Sequence, residues 1–319
     1  MKGYGYNYFF MPVWDDEELM DANELLDSHL RQNQAELMER VELAGPIPRF
    51  VLYKEMKLET LRRKIKCLLE NGNNLLDILA FVQGNEAVSD NHYSHHLLKM
   101  IPLKHTSRAG DVDFRLEFLS GEISRMVLFE AKKHVVAEFK RFALENDDPD
   151  SAKFRGDIYE HLIHRRFKEK SLPGSLSGKR LADGSAFEIP LPKKNKVELA
   201  FRKLEDIELV LGQTLYAFPS SKSQGAYDSF LWNGANKFYV FQITIAKKHS
   251  IMKRPVTRFL NWIEGFNIAN LDVKFVFIVP STVIDKWNQP QRLVQSGGKE
   301  YQNEGCILPI DQYIVSLDI

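Results

Sequence analysis

The chain has 319 residues, 44% of them hydrophobic, enough for two domains with separate cores. Its 43 basic and 43 acidic residues cancel, so net charge gives no drive toward nucleic acid and any basic surface has to be local. Cys67 and Cys306 stand far apart with no CxxC, which implies neither a disulfide scaffold nor a zinc site and fits a reducing compartment. The opening MKGYGYNYFFMPVW is aromatic and glycine-interrupted rather than a continuous apolar leader, and nowhere do about eighteen apolar residues run together. An intracellular protein with no membrane partner is expected, or the surviving C-terminal part of a longer one.

A helix opens at Trp14-Asp15-Asp16-Glu17-Glu18-Leu19, with acids at the positive end of the helix dipole. Its pattern continues through Leu25, Leu26, Leu30 and Leu37 and stops at Gly45-Pro46-Ile47-Pro48-Arg49. Residues 56–146 read as mostly helical: LETLRRKIKCLLENG, then NLLDILAFVQG, then RMVLFEAKKHVVAEFKRFALEN as one long amphipathic helix with Val127, Leu128, Val135 and Phe139 on its apolar face. The turn-prone Glu145-Asn146-Asp147-Asp148-Pro149 marks the boundary, because a residue before proline is biased away from helix. Residues 1–148 are therefore expected to form an all-helical domain and residues 149–319 a second one.

In the second half the periodicity changes. A helix over 151–168 precedes a strand near Ile207–Leu211, and Asn233-Gly234 joins strands at 226–232 and 237–246. A helix from Val256 to Phe266 and a strand at Lys274–Val279 complete the order. The expected fold class is α/β, with a mixed sheet, helices on both faces and the hairpin at its centre. Within the hairpin, Phe238 and Val240 point one way and Tyr239, Phe241, Ile243 and Ile245 the other, while Gln242, Thr244 and Lys248 share the first face by period-two spacing. An amide and a hydroxyl in so apolar a strand need partners, since burying either unbonded costs roughly 1–3 kcal/mol. A metal, a water or a substrate could supply one.

Asp228, then Gln242-Ile243-Thr244, resembles the PD-(D/E)xK nuclease core, with Gln242 where that motif has its second acid and Thr244 where it has lysine. With Lys247, Lys248 and His249, the segment YDSFLW…FYVFQITIAKKHSIMK is similar to the nuclease-like domain of crinkler effectors and trypanosomatid retrotransposon-hot-spot proteins, whose pattern runs D…FQ-x-T…H-x-x-K. Gly156 and Glu160 in FRGDIYEHLIHRRF match the G-x-x-x-E helix of that family. The W-x-x-E-E-L helix followed by G-x-I-P-R looks like the helical lid that follows the family's P-loop ATPase core. No G-x-x-x-x-G-K-(S/T) occurs, and the nearest run, Gly174 to Arg180, reads as a Ser/Gly loop, so no ATP binding is expected.

The resemblance implies a restriction-endonuclease-like domain that hydrolyses DNA with magnesium or manganese. Asp228, Glu160 and Gln242 would hold the metal, and Thr244 and Lys248 would complete the catalytic set. Lys247, His249, Lys253 and Arg254 would contact DNA, although a solvated charged face is the commoner meaning of such runs. Losing the second acid and the lysine is also what a non-cutting module would look like, one that binds nucleic acid or a protein partner. A third reading has the helical half lend itself to a separate ATPase. An effector of this kind would act in a host nucleus. The groups His92, His95, His96 and His161, His164 complete no zinc spacing and read as surface or cap histidines, and Trp232 and Trp262 as core.

Overall fold

A computed structural model describes residues 13–70, 76, 79–80, 94–102, 114–130, 133–168, 172–191, 196–220, 226–294 and 311–319. Contacts divide the chain into two units, Met1–Ile158 and Tyr159–Ile319. The division falls inside the helix Ala152–Lys168 rather than at Glu145–Pro149.

In the first unit, α1 (Asp16–Leu25) begins with a reciprocal cap: the Asp15 carboxylate accepts the Glu18 N–H and Glu18 Oε2 accepts the Asp15 N–H, both at 2.8 Å. The helix does not run on to Gly45 as its apolar spacing predicts. Asn23 Nδ2 donates to Gln32 O at 2.8 Å, Gln32 N–H returns to Asn23 Oδ1 at 3.0 Å, and Gln32 Nε2 reaches Val51 O at 2.6 Å. These two buried amides close a turn that overrides local periodicity, leaving Leu25 88% exposed. α2 (Gln34–Ala44) restarts on an Asn33 cap, followed by the short α3 (Pro48–Val51) and by α4 (Leu58–Glu70), which buries Leu61, Ile65 and Leu69 at helical spacing.

The unit is not all-helical. After α5 (Ser94–Leu97), β1 (Leu98–Pro102) and β2 (Phe114–Phe118) pair antiparallel with Lys99 opposite Glu117, an ion pair at 3.6 Å. In FRLEF, buried Leu116 and Phe118 alternate with Arg115 and Glu117, a period-two signal too short to stand out among helical stretches. The long helix expected over 125–146 is two elements, α6 (Gly121–Glu130) and α7 (Lys133–Glu145). NLLDILAFVQG lies largely outside the described residues, as do His92 and Cys306. Asp148 caps a 3-10 turn at Pro149–Ser151, which leads into α8 (Ala152–Lys168).

The second unit contains β3 (Ser175–Arg180), β4 (Ala186–Pro190), β5 (Lys196–Phe201), β6 (Thr214–Pro219), β7 (Ser229–Trp232), β8 (Lys237–Ile243) and β9 (Ile251–Met252). Then come α9 (Lys253–Glu264), β10 (Asp272–Val279), β11 (Leu293–Val294) and β12 (Asp311–Ser316). An eight-stranded mixed sheet has the order β4-β3-β12-β10-β8-β7-β6-β5, and β8, β10 and β12 run parallel at its centre. The expected hairpin, the helix after it and the strand at Lys274–Val279 are all present, and β8 is central. On one face Phe230, Phe238, Val240, Phe275 and Phe277 pack with Val256, Phe259 and Ile263 of α9. On the other, Phe167 of α8 stacks on Tyr216 at 4.6 Å and lies 5.3 Å from Phe241.

Two expectations fail here. Ile207–Leu211 is not a strand: Ile207 is buried, but the run ends in a turn at Leu211, 77% exposed, and β5 and β6 form that edge of the sheet instead. Gly174–Arg180 is not a loop but largely β3, paired with β4 and β12. Among the described residues no helix is long and apolar enough to cross a membrane.

Asn233 and Gly234 make the hairpin turn. Asn233 Oδ1 accepts the N–H groups of Ala235 and Lys237 at 3.0 and 2.9 Å, and Gly234 takes φ +81° where a Cβ would meet Gln213 N at 2.9 Å. Two other glycines give opposite expectations. A Cβ on Gly178 would stand 2.1 Å from the Ile314 carbonyl oxygen across the β3–β12 pair, so Gly178→Ala is expected to destabilise by about 1–3 kcal/mol. Gly156, inside α8, has nothing within 4 Å of such a Cβ, so Gly156→Ala is expected to stabilise by about 0.5–1 kcal/mol. Chemical denaturation of both variants is the check, and equal midpoints would contradict this packing.

Candidate functional site

Asp228 immediately precedes β7, next to the last pair of the hairpin, Ser229 opposite Phe241. Its own N–H donates to Phe241 O at 2.8 Å, which sets its side chain beside Gln242. Asp228 Oδ2 accepts Gln242 Nε2–H at 2.8 Å and the Ile243 N–H at 2.6 Å. Two of the three residues picked from the sequence as metal ligands, Asp228 and Gln242, thus touch each other. Thr244, also buried, caps the strand end: its N–H donates to Ile278 O at 3.0 Å and its Oγ1 accepts the Ala246 N–H at 3.1 Å. The partners that the buried amide and hydroxyl require are therefore protein groups.

Strand alternation separates the rest. Gln242 follows Phe238 and Val240 on the α9 side, while Ser229 and Phe241 lie on the α8 side, where Glu160 sits. On that side runs a buried polar chain. Tyr216 OH donates to Ser229 Oγ at 3.2 Å and lies 2.6 Å from His164 Nδ1, and His164 Nε2 faces Glu160 Oε1 at 3.8 Å. Burial pushes the Tyr216 phenol far above its ordinary range; the Ser229 bond offsets this in part, and the charges of Asp228, Glu198 and Glu160 raise it further. Tyr216 is thus a neutral donor throughout the physiological range. The charges of Asp228 and Glu160 both reach this hydroxyl, but only Asp228 bonds to Gln242.

The remaining residues lie on the exit from β8. Regular strand ends at Ile243, so the period-two spacing that assigns Lys248 to the Gln242 face does not extend to it. Lys247 and Lys248 are exposed, and the His249 N–H donates to Gln291 Oε1 at 3.1 Å. Lys253 and Arg254 are the first two residues of α9, and Arg254 is exposed. His164 is buried rather than a surface or cap residue, and Trp232 is core as expected.

A magnesium centre needs oxygen ligands, chiefly carboxylates. Here Asp228 Oδ2 accepts two N–H groups and Gln242 presents its amide nitrogen to it, so a metal held by both would need the amide reversed and would replace this bond. Among the described residues no group of three or more His, Cys, Asp or Glu converges to hold a metal. No protein-family model matches the chain, and no curated protein or solved structure shows significant similarity to it.

Sequence reasoning missed Tyr216, Ser229, Gln291 and Gln312. The available signal was a hydroxyl or amide inside an apolar strand, as in SFLW and DQYIV, the same signal that singled out Gln242.

Replacing Gln242 by glutamate sets a second carboxylate against Asp228. One carboxyl of such a pair has its folded-state pKa raised, so the folded chain binds that proton more tightly than the unfolded chain, and stability is regained as pH falls. Gln242→Glu is expected to lose about 3–5 kcal/mol at neutral pH, with the deficit shrinking toward about pH 4. Urea denaturation across that range tests it. A deficit that does not change with pH would show that Gln242 does not face Asp228.

Proposed function

We propose that the second unit binds the phosphate backbone of nucleic acid through the cationic segment after β8, without cutting it. The observation that carries this reading is the start of α9. Lys253 and Arg254 occupy its first turn, no acid is present there, and its N-cap residue Met252 provides no side-chain hydrogen bond. The contrast is α1, which begins with three acids and a reciprocal cap. Cations at the positive end of a helix are unfavourable by about 0.3–1 kcal/mol each. A phosphate group offsets that repulsion, and exposed Lys247 and Lys248 add further counter-charge. The Asp228–Gln242 bond supports the absence of cutting, because it joins the strand ends where a metal would need free oxygens.

A specific observation favours the alternative, a metal-dependent nuclease acting on DNA: Asp228 is only half-buried, and both its charge and that of Glu160 are felt at Tyr216. Binding and cleavage of labelled single-stranded and duplex DNA and RNA, in chelator and with magnesium or manganese, separate the two. Binding in chelator with intact strands in every metal is expected, and Lys248→Ala should weaken it with a shallower salt dependence. Cleavage by the wild type that vanishes in Asp228→Ala would establish the nuclease instead.

A further inference from the structure

The residues expected from the resemblance to contact DNA all come from one stretch, 247–254, but a second stretch from far along the chain lies beside it. β9 and β11 pair in parallel, Ile251 opposite Leu293 and Met252 opposite Val294, and the Ile251 N–H donates to Arg292 O at 3.0 Å. Trp287, fully buried, donates its indole N–H to Ala246 O at 3.1 Å, one residue before Lys247. The arm 286–294 is therefore pinned at both ends to the segment that leaves β8. It brings Lys286 and Arg292, both exposed, alongside Lys247, Lys248 and Arg254.

A buried amide holds this arrangement in place. Gln312, on β12 and 4% exposed, accepts the Gln291 N–H at 2.7 Å and donates Nε2–H to Gln291 O at 3.1 Å. Both groups of one core amide thus bond the backbone of a single residue in the arm. Gln291 in turn donates from Nε2 to Gln289 O at 3.0 Å and accepts the His249 N–H on Oε1 at 3.1 Å. A continuous chain of bonds runs from the sheet through Gln312 and Gln291 to the middle of the cationic stretch.

We propose that the phosphate-binding surface is assembled from both segments, with Arg292 as a contact residue and Gln291 as a positioning residue that sets the stretch through the His249 amide. This rests on the nucleic-acid-binding reading above. Five exposed cations on two fixed backbones, Lys247, Lys248, Arg254, Lys286 and Arg292, match a regularly spaced polyanion better than a single charged ion, and holding the backbone in advance lowers the ordering cost of binding.

The experiment uses the full chain and a labelled duplex DNA in chelator, titrated at several salt concentrations. Arg292→Ala is expected to reduce the slope of log affinity against log salt by about 0.9, the loss of one phosphate contact. Gln291→Ala keeps every cation, so it is expected to weaken binding by about fivefold with little change of slope, while hydrogen exchange at the His249 amide speeds up. Two results would overturn the proposal: Arg292→Ala leaving the slope unchanged while Lys248→Ala lowers it, or Gln291→Ala speeding His249 exchange with no loss of affinity. Wild-type protein that binds neither duplex nor single strands at low salt would instead overturn the nucleic-acid reading itself.

Discussion

Burial of β10 on both faces is the constraint on which the second unit depends. Phe275, Val276, Phe277, Ile278 and Val279 are all fully buried between β8 and β12, with α9 against one face and α8 against the other. Each such side chain contributes roughly 1.5–3 kcal/mol through removal from water, and one polar group left unbonded among them, at roughly 1–3 kcal/mol, offsets about one of these contributions. Three polar side chains that enter this layer are bonded within the protein. Gln242 is taken by Asp228, Gln312 by the Gln291 backbone, and Ser229 by Tyr216. In each case the bond links the sheet to a neighbouring segment, so the polar groups of the core also fix where the loops lie.

Strand alternation then decides which of these groups can act together. Asp228 and Ser229 are consecutive, yet one turns to Gln242 and the other to the Tyr216–His164 chain on the opposite face of the sheet. The same rule sets Glu160 on the far side from Gln242. A metal centre assembled from Glu160, Asp228 and Gln242 would have to gather ligands from both faces at the sheet's end. The hydrogen bonds favour a different role for Asp228, whose carboxylate bridges the side chain of Gln242 and the backbone of Ile243 and so closes the mouth of the hairpin.

What the sequence makes legible is the part governed by local rules. Asn233-Gly234 specifies the hairpin because few residues tolerate a positive φ there, and KFVFIVP reads as a central strand because both faces of β10 are covered. The Asp228–Gln242 contact follows from register once the turn is fixed. Legibility fails where long-range bonds override periodicity. Asn23 and Gln32 end a helix whose leucines continue in phase, and β1 and β2 are five-residue strands whose pairing depends on each other rather than on either sequence. β5 and β6 were hidden for another reason: TLYAFP is buried on both faces and shows no alternation, while the neighbouring Ile207–Leu211 has strand composition without a partner strand.

The placement of charge in the second unit obeys the same division between local and distant. Arg258 on α9 donates from Nη2 to both oxygens of Glu205 at 2.8 and 3.0 Å, and Arg180 pairs with Asp183 and Asp311, so these two cations have protein partners of opposite sign. The first turn of α9 places two cations, Lys253 and Arg254, where the backbone itself is positive. Natural sequences depart from local preference mainly where a ligand restores the balance. On the nucleic-acid-binding reading proposed above the restoring group is an anion, and because the cations extend along two chain segments rather than around one point, an extended polyanion meets the geometry better than a small one.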